Sequence, residues 1–262
     1  MRVGFLQFHP TFGNTGQNLS RVETKLSSLD ADLLVLPELF NTGYLFSGRK
    51  QLRQLAEEIP GGETTRFLKS LSKKRKMAVV AGIAEKDKGK LYNSSILVNP
   101  RGDMHLYRKL HLFNREKRWF DAGNLKLEVV SFRGAKIGVM ICFDWIFPEV
   151  ARSLTLLGAE IICHPANLVL HYCQQSMLTR SLENRIFTIT ANRIGTEEQN
   201  SERITFTGKS QIVSPRGEIL VSSPRNKESL GVADINLKEA RDKSVTPANH
   251  LIKDRRRTFY RL

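Results

Sequence analysis

A single α/β domain built from two halves of like construction is the fold class this sequence predicts, and three observations predict it. Short apolar runs rich in β-branched residues, such as LLVLP at 33–37 and KIGVMI at 136–141, alternate with stretches of helical apolar spacing. Several of these runs are apolar on both faces, the pattern of strands covered by helices. One phrase also occurs twice: VNPRGDMHLYRK at 98–109 and VSPRGEILVS at 213–222 each close a block of strands and helices with a tight hairpin. The interval is too long for a solenoid repeat and fits two halves of one unit. A chain of 262 residues that is 40% hydrophobic can fill one such core, so the whole of 1–262 is expected to form one domain.

In chain order, residues 3–8 read as a strand, and GNTG then supplies a turn. Leu19, Val22 and Leu26 fall at helical spacing on a polar segment. Asp32 to Pro37 is a second buried strand that delivers Glu38. After the turn residues Asn41, Thr42 and Gly43 come amphipathic segments at 48–58 and 64–75, the second expected to be capped by Thr64. Met77 to Ala84 and Ser95 to Val98 are strands, and the first hairpin carries the chain to Lys109. In the second half, the apolar run Ile137 to Ile141 ends on Cys142, and Asp144 with Pro148-Glu149 leads into a helix, VARSLTLLGA. A strand in AEIICHPAN, a helix over Ser176 to Ile186, TITANRIG, the second hairpin and a closing strand at Gly231 to Ile235 follow. Residues 245–262 form a polar, basic tail. Its apolar anchors Leu251, Ile252, Phe259 and Tyr260 predict packing across a neighbour or back over the fold.

The net charge of +15 invites a nucleic-acid partner, but the basic residues are scattered. Of the two dense runs, Lys73 to Lys76 sits at the C-terminal end of a predicted helix, where cations suit the helix dipole, and Arg255 to Arg257 lies in the tail. Neither is interleaved with stacking aromatics, so no specific nucleic-acid binding is expected. MRVGFLQFHP lacks the basic flank and apolar stretch of a signal peptide. No apolar run approaches the ~18 residues of a membrane span. Three cysteines fit reduced thiols better than a disulfide framework. The expected location is the cytoplasm.

Glu38, Lys109 and Cys142 each stand at the C-terminal end of an apolar run, where α/β sheets collect their active sites. Taken singly, each has an ordinary explanation: a solvated carboxylate, one cation among 41, a thiol that fills space. Together they can run nucleophilic catalysis, since a carboxylate can take the thiol proton and a cation can stabilise an oxyanion. The helix expected just after Cys142 aims its free N–H groups at the sulfur and favours a thiolate. His111 would share the strand face of Lys109 if that strand continued, and it reads as a neighbour more than as a base. Cys163-His164 and His171-x-Cys173 lack metal-ligand spacing, so no metal is expected.

LLVLPELFNTGY, YRKLHLF and GVMICFDWIFPE, in that order, followed by HPANL and ENRIFTITANRIG, resemble the nitrilase superfamily of carbon–nitrogen hydrolases. The similarity runs from the first strand to the DRRR tail, and its wording is closest to archaeal-type nitrilases and amidases. It implies a four-layer αββα sandwich and a cofactor-independent hydrolysis of a non-peptide C–N bond through a cysteine thioester. By position, Glu38 matches the general base, Lys109 the catalytic lysine, Cys142 the nucleophile, and Glu116 a second glutamate that holds Lys109. The Phe143 N–H is expected in the oxyanion site, with Trp145, Asn167 and Tyr44 about the substrate. A homodimer or larger homo-oligomer is implied, joined through helices near 148–157 and 174–185.

Two departures bear on substrate. Trp145 and Ile146 follow Asp144 where many amidases carry an Arg, and the Trp-Glu that strict nitrilases place after the cysteine is absent as well. Phe143-Asp144 with Pro148-Glu149 leans towards a small aliphatic amide or carbamoyl compound, with a nitrile as the alternative. Trp145, Phe147, Phe40 and Tyr44 either line a small apolar pocket or are ordinary core aromatics. A catalytically silent scaffold is disfavoured by the presence of all three triad residues.

Overall fold

Two six-stranded sheets stand face to face, and helices cover the outer face of each. The computed structural model describes residues 1–260. The first sheet contains β1 (Arg2–Gln7), β2 (Leu33–Val35), β3 (Ala78–Asp87), β4 (Lys90–Val98) and β5 (Met104–Arg108). The second contains β6 (Val129–Phe132), β7 (Ala135–Val139), β8 (Ile161–Pro165) and β9 (Phe187–Ala191). The small hairpin β10 (Thr196–Gln199) and β11 (Glu202–Thr205) stands apart from both sheets. Then β12 (Gln211–Val213) and β13 (Ile219–Ser222) complete the second sheet, and β14 (Ser229–Asp234) returns to the first.

The sheets repeat one plan. The first runs β14-β1-β2-β3-β4-β5 and the second β13-β12-β9-β8-β7-β6. Each has three parallel central strands, continued by an antiparallel hairpin and closed at the other edge by one antiparallel strand. Phe5, Val35 and Val80 align across one centre as Val139, Cys163 and Ile189 do across the other. The twin phrases are the hairpins β4–β5 and β12–β13, at equivalent positions.

Strand alternation explains the layering. Val3, Phe5, Leu33, Val35, Ala78 and Val80 point to the second sheet, into a core shared with Ile137, Ile161 and Ile189. Their neighbours Leu6, Leu34, Leu36, Val79 and Ala81 point the other way, onto α1 (Thr15–Lys25) and, beyond a short α2 (Arg49–Leu55), onto α3 (Glu63–Arg75). A single-turn α4 (Glu116–Trp119) precedes the second half. There α5 (Pro148–Leu156) and α6 (Cys173–Asn184) form the fourth layer, packing Val150, Leu154 and Met177 on the second sheet. The αββα sandwich is therefore the fold. The last helix, α7 (Leu237–Arg241), leads to a tail hairpin, β15 (Ser244–Thr246) with β16 (Asn249–His250). Leu251 and Ile252 are half-buried there, while Phe259 and Tyr260 stay exposed.

The expected cap of α3 is wrong in an instructive way. The helix begins one residue before Thr64, at Glu63 with Gly62 as its cap residue, and Thr64 is buried. The capping acceptor is a carboxylate from the segment just before the helix: Glu57 accepts the Thr64 N–H at 2.8 Å and the Thr64 hydroxyl as well. A carboxylate at a helix N-terminus does the work a Thr hydroxyl was expected to do.

Candidate active site

Loops leaving both sheets meet at one end of the sandwich. Glu38 follows β2, Lys109 follows β5, Cys142 follows β7 and Asn167 follows β8. Glu38, Lys109 and Glu116 are buried and form one ion-paired chain. The Lys109 ammonium donates to Glu38 Oε1 at 2.7 Å and to Glu116 Oε1 at 2.8 Å. Burial opposes the charge on Lys109, but Glu116 and Glu38 together outweigh it and raise its pKa, so it stays protonated. Burial also raises the Glu116 carboxyl, against the pull of Lys109.

Two residues fix these carboxylates. Asn93, on β4, donates its side-chain N–H to Glu38 Oε1 at 2.7 Å. That oxygen then carries two donors, while Oε2 is buried with no partner. Tyr44 donates its hydroxyl to Glu116 Oε1 at 2.8 Å, and the Phe113 N–H reaches Oε2 at 3.0 Å. Backbone closeness does the rest. A Cβ on Gly82 would lie 2.4 Å from the Glu38 Cα, and one on Gly123 would lie 2.2 Å from the Arg108 carbonyl oxygen. Only glycine lets β3 and the 120s loop press so closely on the chain beside Glu38 and Lys109.

The chain turns sharply at Cys142, whose φ of +40° is uncommon for a residue with a side chain. A 3₁₀ turn, Cys142–Ile146, follows, and α5 begins only at Pro148. The expected helix start at the sulfur is therefore displaced, and so is its consequence. Burial pushes the Cys142 thiol well above its ordinary pKa, the Glu38 carboxylate adds to this, and Lys109 and the Asn167 N–H oppose it only in part. The resting group is a neutral thiol.

The turn is held from every side. Asp144 accepts the Ile141 N–H at 3.0 Å, the Tyr107 hydroxyl at 2.7 Å and the His111 N–H at 3.1 Å. Its Oδ1 also lies 2.8 Å from His111 Nδ1. Arg180 of α6 donates to the Trp145 carbonyl at 3.1 Å. His111, stacked on Phe147 with ring centroids 3.7 Å apart, is thus a support of the turn, as expected. His164 Nε2 donates to the Cys142 carbonyl at 2.9 Å. No group of three or more His, Cys, Asp or Glu suited to a metal exists among the described residues.

This geometry agrees with what the chain resembles as a whole. Residues 2–243 match the family model described as carbon-nitrogen hydrolase. The chain belongs to the carbon–nitrogen hydrolase family. This hydrolase is 44% identical to a nitrilase from Pyrococcus abyssi over 99% of both chains. It is 33% identical to an (R)-stereoselective amidase from a Pseudomonas species, over 98% of this chain and 92% of the relative. Among solved structures, a carbon–nitrogen hydrolase from Helicobacter pylori G27 superposes with a TM-score of 0.90 at 26% identity, covering 99% of this chain and 97% of that one.

Above Cys142 the hydrolase has a narrow slot of about 10 Å³, walled by Phe113, Phe143, Trp145, Asn167 and Val169. Such a volume holds about one water-sized group. Phe143, Trp145 and Asn167 thus lie beside Cys142, while Tyr44 sits behind Glu116 and lines an adjoining cleft. The Asn167 side chain is 3% exposed, and neither its oxygen nor its nitrogen has a partner. Sequence reasoning missed Asn93, Tyr107, Gly82 and Gly123. Of these only the glycines carried any local signal, Gly82 as an isolated glycine inside the apolar run 77–84.

His164 sets a testable pH dependence. Burial lowers its pKa from 6.5 to about 4, so it stays neutral in the folded protein. Over that interval the unfolded chain binds the extra proton and the folded one does not, so stability is lost as pH falls from about 6.5 towards 4. The loss amounts to about 3 kcal/mol. Urea unfolding at a series of pH values should record this decline, and His164→Gln should flatten it.

Proposed function

We propose that the enzyme hydrolyses the C–N bond of a small primary amide or carbamoyl compound to the acid and ammonia. The observation that carries this reading is the bare Oε2 of Glu38, buried beside an ammonium that the other oxygen already holds. A carboxylate so arranged keeps one basic oxygen free for proton transfer. Glu38 takes the Cys142 proton as sulfur attacks the carbonyl carbon, and Lys109 with the Phe143 N–H stabilises the resulting oxyanion. Collapse breaks the C–N bond, ammonia departs with the proton from Glu38, and a thioester remains. Water then attacks, gives its proton to Glu38, and the acid leaves as the thiol is restored. Glu116, held by Tyr44, keeps Lys109 in position. No cofactor enters the scheme.

Asn167 favours an amide over a nitrile. Its unpartnered amide offers one donor face and one acceptor face in the slot, which a carboxamide can satisfy together and a nitrile, an acceptor only, cannot. The (R)-stereoselective amidase relative supports the same choice. A nitrile substrate, cleaved through a thioimidate, is the second reading, favoured by the 44% identity to the Pyrococcus abyssi nitrilase.

Ammonia release from acetamide, propionamide, N-carbamoyl amines, acetonitrile and propionitrile tests the two. Amides or carbamoyl compounds should exceed nitriles in kcat/KM by at least about tenfold, the weight of one unsatisfied buried polar pair. Faster turnover of nitriles would transfer the assignment to the second reading.

A homodimer is part of the same proposal. Leu156, Leu157 and Leu182 on α5 and α6 are each about half exposed, which supports pairing of two copies across that layer. A reducing compartment such as the cytoplasm suits three free thiols, and no helix among the described residues is long and apolar enough to cross a membrane.

A further inference from the structure

The slot over Cys142 has room for about one water-sized group, so only the reacting end of a substrate can enter it. Against it lies a second cavity of about 420 Å³, and Phe113 and Val169 line both spaces. Besides these two, Tyr44, Trp119 and Ile204 give the larger cavity an apolar, largely aromatic wall. Tyr44 is edge-on to both Trp119 and Phe206, with centroids 6.4 and 5.8 Å apart, so that wall is braced from behind.

Its rim is charged, yet its charges are paired. Arg115 bonds Glu202 on β11, and Arg203 Nη1 lies 2.8 Å from Glu198 on β10. Deeper in, Lys109 is held between Glu38 and Glu116. Each rim arginine already has a carboxylate partner, so a distal charge on the substrate would have to compete for it.

We infer that this second cavity is the subsite for the acyl chain of the substrate, and that it takes an uncharged, apolar chain. The inference rests on the reaction proposed above, which puts the scissile carbon at Cys142. A substrate larger than the slot must extend past Phe113 and Val169, and the cavity beyond them rewards methylenes or an aryl ring with buried apolar surface. A charged chain end would lose hydration at the rim without gaining a free counter-charge. The substrate class is therefore medium-chain aliphatic or arylalkyl primary amides, in preference to ω-amides of dicarboxylic acids or amides ending in an amine.

Calorimetric titration of full-length Cys142→Ala with acetamide, butyramide and hexanamide reads the subsite without turnover. Affinity should rise by roughly fourfold per methylene that enters the cavity, on the order of a hundredfold from acetamide to hexanamide. Adipic acid monoamide and 6-aminohexanamide, of the same length with charged ends, should bind at least about tenfold more weakly than hexanamide. Adding Ile204→Trp, which fills the cavity away from the slot, should erase most of the chain-length gain. Binding of acetamide and hexanamide within about threefold of each other, no measurable hexanamide binding, or equal binding of the charged analogues would each overturn the subsite. Ammonia release by the wild-type enzyme, measured on the same amides, separates the two levels. A chain-length gain in binding with no release from any amide would sink the reaction and leave the subsite standing.

Discussion

Replacing Cys142 by alanine should reduce ammonia release by about 10⁵-fold or more, since the covalent route disappears entirely. Stability should change by about 1 kcal/mol or less. The sulfur is buried, but a neutral thiol accepts the Asn167 N–H only weakly, and alanine tolerates the positive φ no worse than cysteine does. Cys142→Ser is the stricter variant. Burial and the neighbouring carboxylates already hold the thiol proton tightly, and a hydroxyl in the same place gives it up far less readily. Serine should therefore fall within about tenfold of the alanine background. Ammonia assays beside thermal unfolding separate lost chemistry from lost structure. Turnover retained by a folded Cys142→Ala enzyme would remove the nucleophile assignment.

The second large effect is expected of Lys109→Met, which keeps the length of the side chain and deletes its charge. Glu38 and Glu116 then lie buried and facing each other without the cation that joins them. Removing one member of a buried ionic cluster costs about 3–5 kcal/mol, because the charges left behind have neither water nor partner. Activity should fall with it, by about 10³-fold or more, as the oxyanion loses its cation. The pH dependence distinguishes this cause from simple misfolding. Burial already raises the Glu116 pKa in the wild type, and losing Lys109 removes the largest of the influences that oppose that rise. A carboxyl raised in the folded state contributes stability below its unfolded pKa and loses it as pH climbs through the folded value. The gap in stability between wild type and variant should therefore narrow as pH is lowered towards about 4.3. A gap that stays constant with pH would place the damage in packing.

Much of this was legible in the chain. The repeated hairpin phrase marked equivalent edges of two sheets because a tight turn is written in local residues, Pro-Arg-Gly in both copies. Glu38, Lys109 and Cys142 were legible because each ends an apolar run, and strand ends at one edge of a sandwich converge. What escaped depends on contacts between one element and another. Asn93 reaches Glu38 across 55 residues, and Glu57 caps α3 from outside the helix, displacing Thr64 from that role. The thiolate expectation failed for a similar reason. It counted the helix dipole ahead and could not count the two carboxylates that burial brings alongside.

The division of the site between the two sheets reaches past catalysis. Glu38, Lys109 and Glu116 hang from one leaf of the sandwich, Cys142 and Asn167 from the other, and the packed inner faces, joined by bonds such as Tyr107 to Asp144 and Ser210 to Gln7, keep the leaves in register. Neither half can therefore be an enzyme alone, however well it folds. Chemical competence becomes a property of the seam, and a slip along it silences the protein while every strand remains in place.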